Sequence, residues 1–258
     1  MIRRWILALV GLCCLLLPNA VYAQDLPGLY DRALRASQAG DFLQALPLWD
    51  QVLEQAPGDA VALSNRGNVR LALGDPAGAI ADQTRSMELA PDEPDPHLNR
   101  GTAEEALQDW TAAAADYLWI LQRDPSDASA LYNLGNVRGS EGDWDQAREL
   151  YNQAAEARPG FAMARSSAAL AAWQQQDLAW AEAELRKLIR RYPLFADARA
   201  ALSGLLWQRG ASGEAESHWA AAAGLDQRYR QRDWLQEVRR WPPQPTQQLM
   251  AFLALEDR

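Results

Sequence analysis

Beyond residue 14 the sequence has no cysteine, because Cys13 and Cys14 are adjacent near the N-terminus. A chain cleaved after them has no disulfide, thiolate nucleophile or sulfur metal ligand, and its fold rests on packing alone. Histidine is scarce: His97 and His218 lie far apart in sequence, so no His/Asp/Glu group shows metal-ligand spacing. Lysine is reduced to Lys187. No glycine-rich phosphate loop follows a strand pattern. Positive charge is in deficit, with 25 Lys and Arg against 34 Asp and Glu, which disfavours a phosphate-backbone partner. Long apolar runs are also missing, apart from the 13 residues Trp5 to Leu17. At about 1.5 Å per residue, that run falls short of the roughly 30 Å hydrocarbon core of a bilayer.

What that run does have is the layout of an export signal. Arg3 and Arg4 precede it, Pro18 ends it, and Val21-Tyr22-Ala23 offers small residues where a signal peptidase reads. Residues 1–23 are therefore expected to be a cleaved signal peptide, and the protein to be exported. The remaining chain is unevenly charged. Residues 24–160 hold 10 basic and 23 acidic side chains, whereas residues 161–258 hold 13 and 11.

From Leu26 onward the sequence repeats every 34 residues without insertion or deletion. One column reads Ala45, Ala79, Ala113, Ala147, Ala181, Ala215; another reads Pro57, Pro91, Pro125, Pro159, Pro193, failing at Gln227. A third is small throughout: Ala33, Gly67, Gly101, Gly135, Ala169, Ser203. A turn column has Gly40, Gly74, Gly142 and Gly210, with Gln108 and Gln176 as exceptions, and five aspartates follow it. Each column has a mechanical meaning. Small residues let two helices approach closely. Glycine tolerates a left-handed turn, aspartate accepts from free N–H groups of the next helix, and proline stops a helix. Apolar residues between these marks recur at helical spacing. Each row is thus a helical hairpin that cannot bury its own apolar face, so neighbours must stack.

This pattern resembles the tetratricopeptide-repeat (TPR) family. The resemblance implies an all-α solenoid, a right-handed superhelix of six helix–turn–helix repeats over residues 24–227. Their rows are 26–59, 60–93, 94–127, 128–161, 162–195 and 196–229. Gln83 and Ser86 stand where other rows are apolar, so row two is expected to pack less tightly. Gln227 in place of proline suggests that the last helix runs on. In the tail, residues 230–258, a helix over Arg230 to Arg240 is expected, interrupted by Trp241–Pro245 and resumed from Thr246 with Leu249, Phe252 and Leu253 on one face. An open solenoid end needs a cover, so the tail reads as capping helices; a docking element is the alternative. The tail's Arg-Asp-Trp-Leu and Arg-Arg-Trp-Pro-Pro, with Pro-Asp-Pro-His-Leu-Asn-Arg-Gly around His97, are similar to exported TPR proteins of cyanobacteria and chloroplasts. That resemblance implies a periplasmic or thylakoid-lumen address.

No catalytic constellation emerges, and neither a cofactor nor a metal is expected. His97 shares a column with Leu29, Leu63 and Leu131 and reads as a packed core residue. Glu104 and Glu105 are adjacent, point to different helix faces, and read as solvated surface. In TPR folds the first helix of each unit lines a concave groove. Asn65, Asn99 and Asn133 share one such column, and Asn68, Thr102 and Asn136 another. An amide offers both donor and acceptor, which suits an extended backbone. The ladder thus reads either as a peptide-binding surface or as bonds that fix repeat geometry. The family's lysine-rich carboxylate clamp is missing, since the matching places hold Ser64, Asp95 and Ser129.

Arginine also enters a normally apolar column at Arg32, Arg66 and Arg100; the last two stand opposite Asp82 and Asp116, which predicts intra-repeat ion pairs, whereas Arg32 stands opposite Leu48 and breaks the rule. The run Leu185 to Arg191 alternates apolar and cationic residues; it reads as a solvated helix face or as a surface for anionic lipid or an acidic partner. The expected function is a non-enzymatic scaffold for a protein or peptide, with peripheral membrane association open. The alternative is an envelope component that self-associates through its ends and tail.

Overall fold

The computed structural model describes residues 25–256; the expected signal peptide lies outside them. Among the described residues the chain is helical with no strand, arranged as consecutive antiparallel pairs. Row one pairs α1 (Leu26–Gln38) with α2 (Phe42–Gln55), and row two α3 (Ala60–Ala72) with α4 (Pro76–Leu89). Rows three and four pair α5 (Pro94–Ala106) with α6 (Trp110–Leu121) and α7 (Ala128–Ser140) with α8 (Trp144–Ala157). Rows five and six pair α9 (Ala162–Gln174) with α10 (Leu178–Arg191) and α11 (Ala196–Gln208) with α12 (Ser212–Leu225). Repeat helices pack mainly on their neighbours in sequence, and α1, α3, α5 and α9 also touch the first helix one row on. This is the expected all-α solenoid.

The repeated columns do what their chemistry suggests. The Gly78, Ala112 and Gln146 N–H groups donate to the caps Asp75, Asp109 and Asp143 at 2.9, 3.1 and 3.0 Å. Gln108 and Gln176 keep the left-handed turn without glycine, at φ 60° and 68°. Tertiary packing therefore imposes that turn, against a cost of roughly 1–2 kcal/mol for a residue with a Cβ. The alanines at 45, 79, 113 and 147 are buried at the helix crossings. At the small column, a Cβ on Gly101 or Gly135 would lie 2.7 Å from the Tyr117 or Tyr151 ring, and one on Gly67 2.7 Å from the Gln83 amide. Glycine there makes room for a large side chain of the partner helix.

Five sequence expectations need correction. Row two is not loosely packed: Gln83 and Ser86 are each 1% exposed. Their side chains donate to the Ser64 and Ala60 carbonyls at 2.9 and 2.7 Å, replacing apolar contact with buried hydrogen bonds. The last repeat helix does not run on. It ends at Leu225, where the extended Asp226 accepts from the Arg228 N–H at 3.0 Å and a short 3₁₀ turn, Gln227–Arg230, follows. No α-helix spans 230–240; a single π turn, Trp234–Val238, leads to Arg240 at φ 56°. The final helix, α13 (Pro243–Glu256), starts earlier than expected, because prolines in a first turn lose no needed N–H. Finally, Glu104 and Glu105 are buried, not solvated.

The predicted ion pairs form. Arg66 holds Asp82 through two bonds, at 2.9 and 2.6 Å, and Arg100 holds Asp116 through two at 2.8 Å. Each arginine also reaches back one row, Arg66 to Asp50 at 2.9 Å and Arg100 to Thr84 at 3.2 Å. The pairs therefore tie neighbouring hairpins together. His97 is a core residue, stacked on Trp119 with ring centroids 3.7 Å apart and bonded to Asp116 at 2.8 Å.

Candidate functional site: the inner groove

Contacts between successive first helices make them the inner wall of the stack. The amide ladder lies on these helices, and its members divide into groups. Asn65, Asn68 and Asn99 line one groove of about 410 Å³ between α3 and α5, with Ser64 and the Glu93 and Asp95 carboxylates. Asn133 and Asn136 lie one row further along, on α7. Thr102 is exposed on α5, with its hydroxyl turned back to the Leu98 carbonyl at 3.0 Å.

Several ladder amides are bonded within the protein, but only in part. Asn99 donates one hydrogen to the Ser64 hydroxyl at 3.2 Å, across the α3–α5 boundary. Asn68 and Asn136 each use the oxygen, accepting from Gln83 at 3.1 Å and from the Tyr151 hydroxyl at 3.0 Å. A side-chain amide has an acceptor oxygen and two donor hydrogens. The Asn99 bond leaves its oxygen, and the Asn68 bond leaves its NH₂, directed by these anchors. Such a wall presents fixed donors and acceptors to a chain laid along it.

The second half of the inner wall is occupied by the protein's own tail. Asp197, in the first turn of α11, is 1% exposed and receives four side chains. Ser166 donates to it at 2.6 Å, Tyr229 at 2.9 Å, Arg239 at 2.7 Å and the Trp241 indole at 3.1 Å. Burial pushes this carboxyl up, but the Arg239 charge and the donated hydrogen bonds outweigh burial and hold it below the usual carboxylate range. Arg240 reaches Glu105 at 3.7 Å and lies over the Trp110 ring. Burial raises the Glu105 carboxyl against the opposing effects of the Tyr117 hydroxyl, which donates at 2.6 Å, and of Arg240. Helix α13 then lies across α11 and α9: Leu249 backbone covers Gly204, and the Phe252 ring meets Trp207 and Trp219. The tail is thus a cover for the final rows, laid along the inside rather than stacked as a further hairpin.

Sequence reasoning missed the roles of Glu93, Asp197, Arg239 and Arg240, and noted Asp95 only as standing where a clamp residue is missing. Asp95 and Asp197 share one column, acidic where other rows have Val61, Ser129 and Met163. On α10, Leu185 and Leu188 enter the core while Arg186 pairs with Glu214 and Lys187 with Glu184. Among the described residues no three His, Cys, Asp or Glu are placed to hold a metal ion, and no helix is long and apolar enough to cross a membrane.

The family profile described as Tetratricopeptide repeat matches residues 30–94, 98–162, 134–189 and 166–229. Several solved structures share the fold. A thermophilic TPR protein of Thermus thermophilus is 20% identical, covering 70% of this chain and 99% of that one, with a TM-score of 0.61. A tetratricopeptide repeat protein of Parabacteroides merdae is 15% identical over 89% of this chain and 98% of that one, at 0.65. YrrB, a TPR protein with an unusual peptide-binding site, is 22% identical over 67% of this chain and 90% of that one, at 0.52. No curated protein matches the chain.

Proposed function

This chain belongs to the tetratricopeptide-repeat family, and from that premise we propose that it is a non-enzymatic scaffold holding a polypeptide segment in its inner groove. One observation carries the reading: Asn65, Asn68 and Asn99 converge on a single groove, and internal bonds fix the amides of Asn68 and Asn99. The anchoring explains why the ladder's two readings do not compete, since a fixed amide offers its remaining hydrogen or lone pair at little entropic cost. The leader Arg3 to Ala23 supports export to a periplasm or thylakoid lumen. The tail's resemblance to proteins of cyanobacteria and chloroplasts supports a role in assembling or maintaining photosynthetic membrane complexes. Self-association through the tail is the weaker alternative, because Trp241, Leu249 and Phe252 of the tail are buried within the chain and Arg239 and Trp241 are held by Asp197.

The test uses residues 24–258 as bait on membranes of the source organism, followed by mass spectrometry. Proteins captured by the unaltered chain should be lost when Asn65 and Asn99 are both changed to alanine, with circular dichroism unchanged. Equal capture by the double variant would remove the groove from the function.

A further inference from the structure

We infer that the segment held in this groove is short, extended and cationic, reading no more than the inner wall of rows one to three. The inference deepens the proposed function and rests on it. Three observations carry it.

The first is charge. The groove between α3 and α5 has Glu93 and Asp95 on its wall and no lysine or arginine among its lining residues. It lies in the part of the chain where acidic side chains outnumber basic ones by 23 to 10, so the local field favours a positive ligand. Asparagines 65, 68 and 99 meet the backbone of such a segment, and the carboxylates meet its side chain.

The second is the protein's own example. The same inner wall, further along, already holds a cationic stretch. Arg239 is bound by Asp197, with the Trp241 indole on the same carboxylate oxygen, and Arg240 faces Glu105. A carboxylate on a first helix receiving an arginine from a non-helical chain is therefore a contact this fold makes. Glu93 and Asp95 repeat the arrangement where no tail covers them.

The third is length. Further along, the tail crosses this wall: Arg240 stands at the end of α5, Gln236 and Trp241 beside Gly139 and Ser140 at the end of α7, and α13 lies on α9 and α11. Ahead of that crossing the wall is formed by α1, α3 and α5. Helices packed about 8–10 Å apart give these three a span of about 20 Å. An extended chain at about 3.3 Å per residue covers that with about six residues. The tail is the stop against which the segment ends.

The test is selection of random dodecapeptides, displayed on phage, against the protein comprising residues 24–258. The expected result is a consensus of about six contiguous positions with Lys or Arg at a constant place. A synthetic peptide of that sequence should bind at least tenfold more weakly to the Glu93→Gln/Asp95→Gln double variant, whose changes are at exposed sites and leave melting unaltered. Raising the salt from 20 to 200 mM should weaken binding to the unaltered protein more than to the variant. A neutral or acidic consensus that still requires Asn65 and Asn99 would overturn the cationic specificity and leave the groove function standing. A consensus spread over all twelve positions would overturn the stop. Selection that is equally strong on the Asn65→Ala/Asn99→Ala protein would overturn both the inference and the function beneath it.

Discussion

Removing the Asp197 carboxylate should undock the tail while leaving the first four rows folded. Asp197 is fully enclosed, and Arg239 is only 12% exposed at its side chain, so Asp197→Ala strands a guanidinium away from water. Breaking a buried pair from one side costs about 3–5 kcal/mol, far more than the pair contributes net, because the remaining charge loses its compensation. The loss includes the acceptor of Ser166, Tyr229 and the Trp241 indole. In a solenoid each row contacts chiefly its neighbours, so this deficit falls on the tail and rows five and six.

Amide hydrogen exchange is therefore the right assay. Protection over α13 and the π turn should fall by a factor of about 10² to 4 × 10³, the equivalent of 3–5 kcal/mol at a factor of ten per 1.4 kcal/mol, while α1 to α6 exchange as before. Acidity supplies a second arm. The Asp197 pKa is lowered in the fold, so its stabilisation is complete above the unfolded value near 4 and is lost as pH falls through the folded value. The two proteins should differ fully at pH 7 and begin to converge only as pH falls below about 4, toward the lowered folded value. A double change, Asp197→Leu with Arg239→Met, should recover most of the loss by removing both charges. Unchanged α13 protection in Asp197→Ala at pH 7 would refute the claim that this carboxylate holds the tail.

Three further outcomes follow from the repeats. Asp82→Leu should lower the melting temperature, at a cost of about 3 kcal/mol, through the loss of its Arg66 and Arg70 contacts at 2.6 and 2.9 Å; adding Arg66→Leu should restore much of it by recreating the pair that row four has at these places, Leu134 and Leu150. Gly101→Ala places a methyl 2.7 Å from the Tyr117 ring and should cost about 1–3 kcal/mol in urea unfolding, whereas Gly58→Ala, with open space around it, should stay within about 0.5 kcal/mol. Glu104, raised by burial and then by Asp116 to about 7, binds its proton more tightly folded than unfolded. Stability should therefore decline as pH rises from about 4.5 to 7, and Glu104→Gln should flatten that decline in melting temperature measured across the interval.

The sequence made the solenoid readable because each repeated column answers one local demand at a fixed offset. Asp75, Asp109 and Asp143 cap within three residues, and Gly101 faces Tyr117 sixteen residues on in the same hairpin. Arg66 and Asp82 were legible for the same reason: a paired departure from an apolar column at one offset implies that the two meet. Glu104 and Glu105 were misread because adjacency says only that two side chains diverge. It does not say that one turns toward Asp116 while the other is enclosed with Tyr117 and the incoming Arg240.

That last error points to where information about function sits in a repeat protein. Periodicity describes contacts at constant offset, so it describes the scaffold and is blind to any contact that occurs once. Asp197 with Arg239 spans 42 residues, Glu105 with Arg240 far more, and neither has a counterpart in another row. These unrepeated contacts divide the inner wall into a covered stretch and an open one. The ladder as read from columns ran evenly from Asn65 to Asn136. The tail ends that regularity where it meets the ends of α5 and α7 and then covers α9 and α11, so the groove lined by Asn65, Asn68 and Asn99 stands ahead of it. The repeat places equivalent amides on successive helices, and the single copy of Arg239-Arg240-Trp241 decides where the open wall stops.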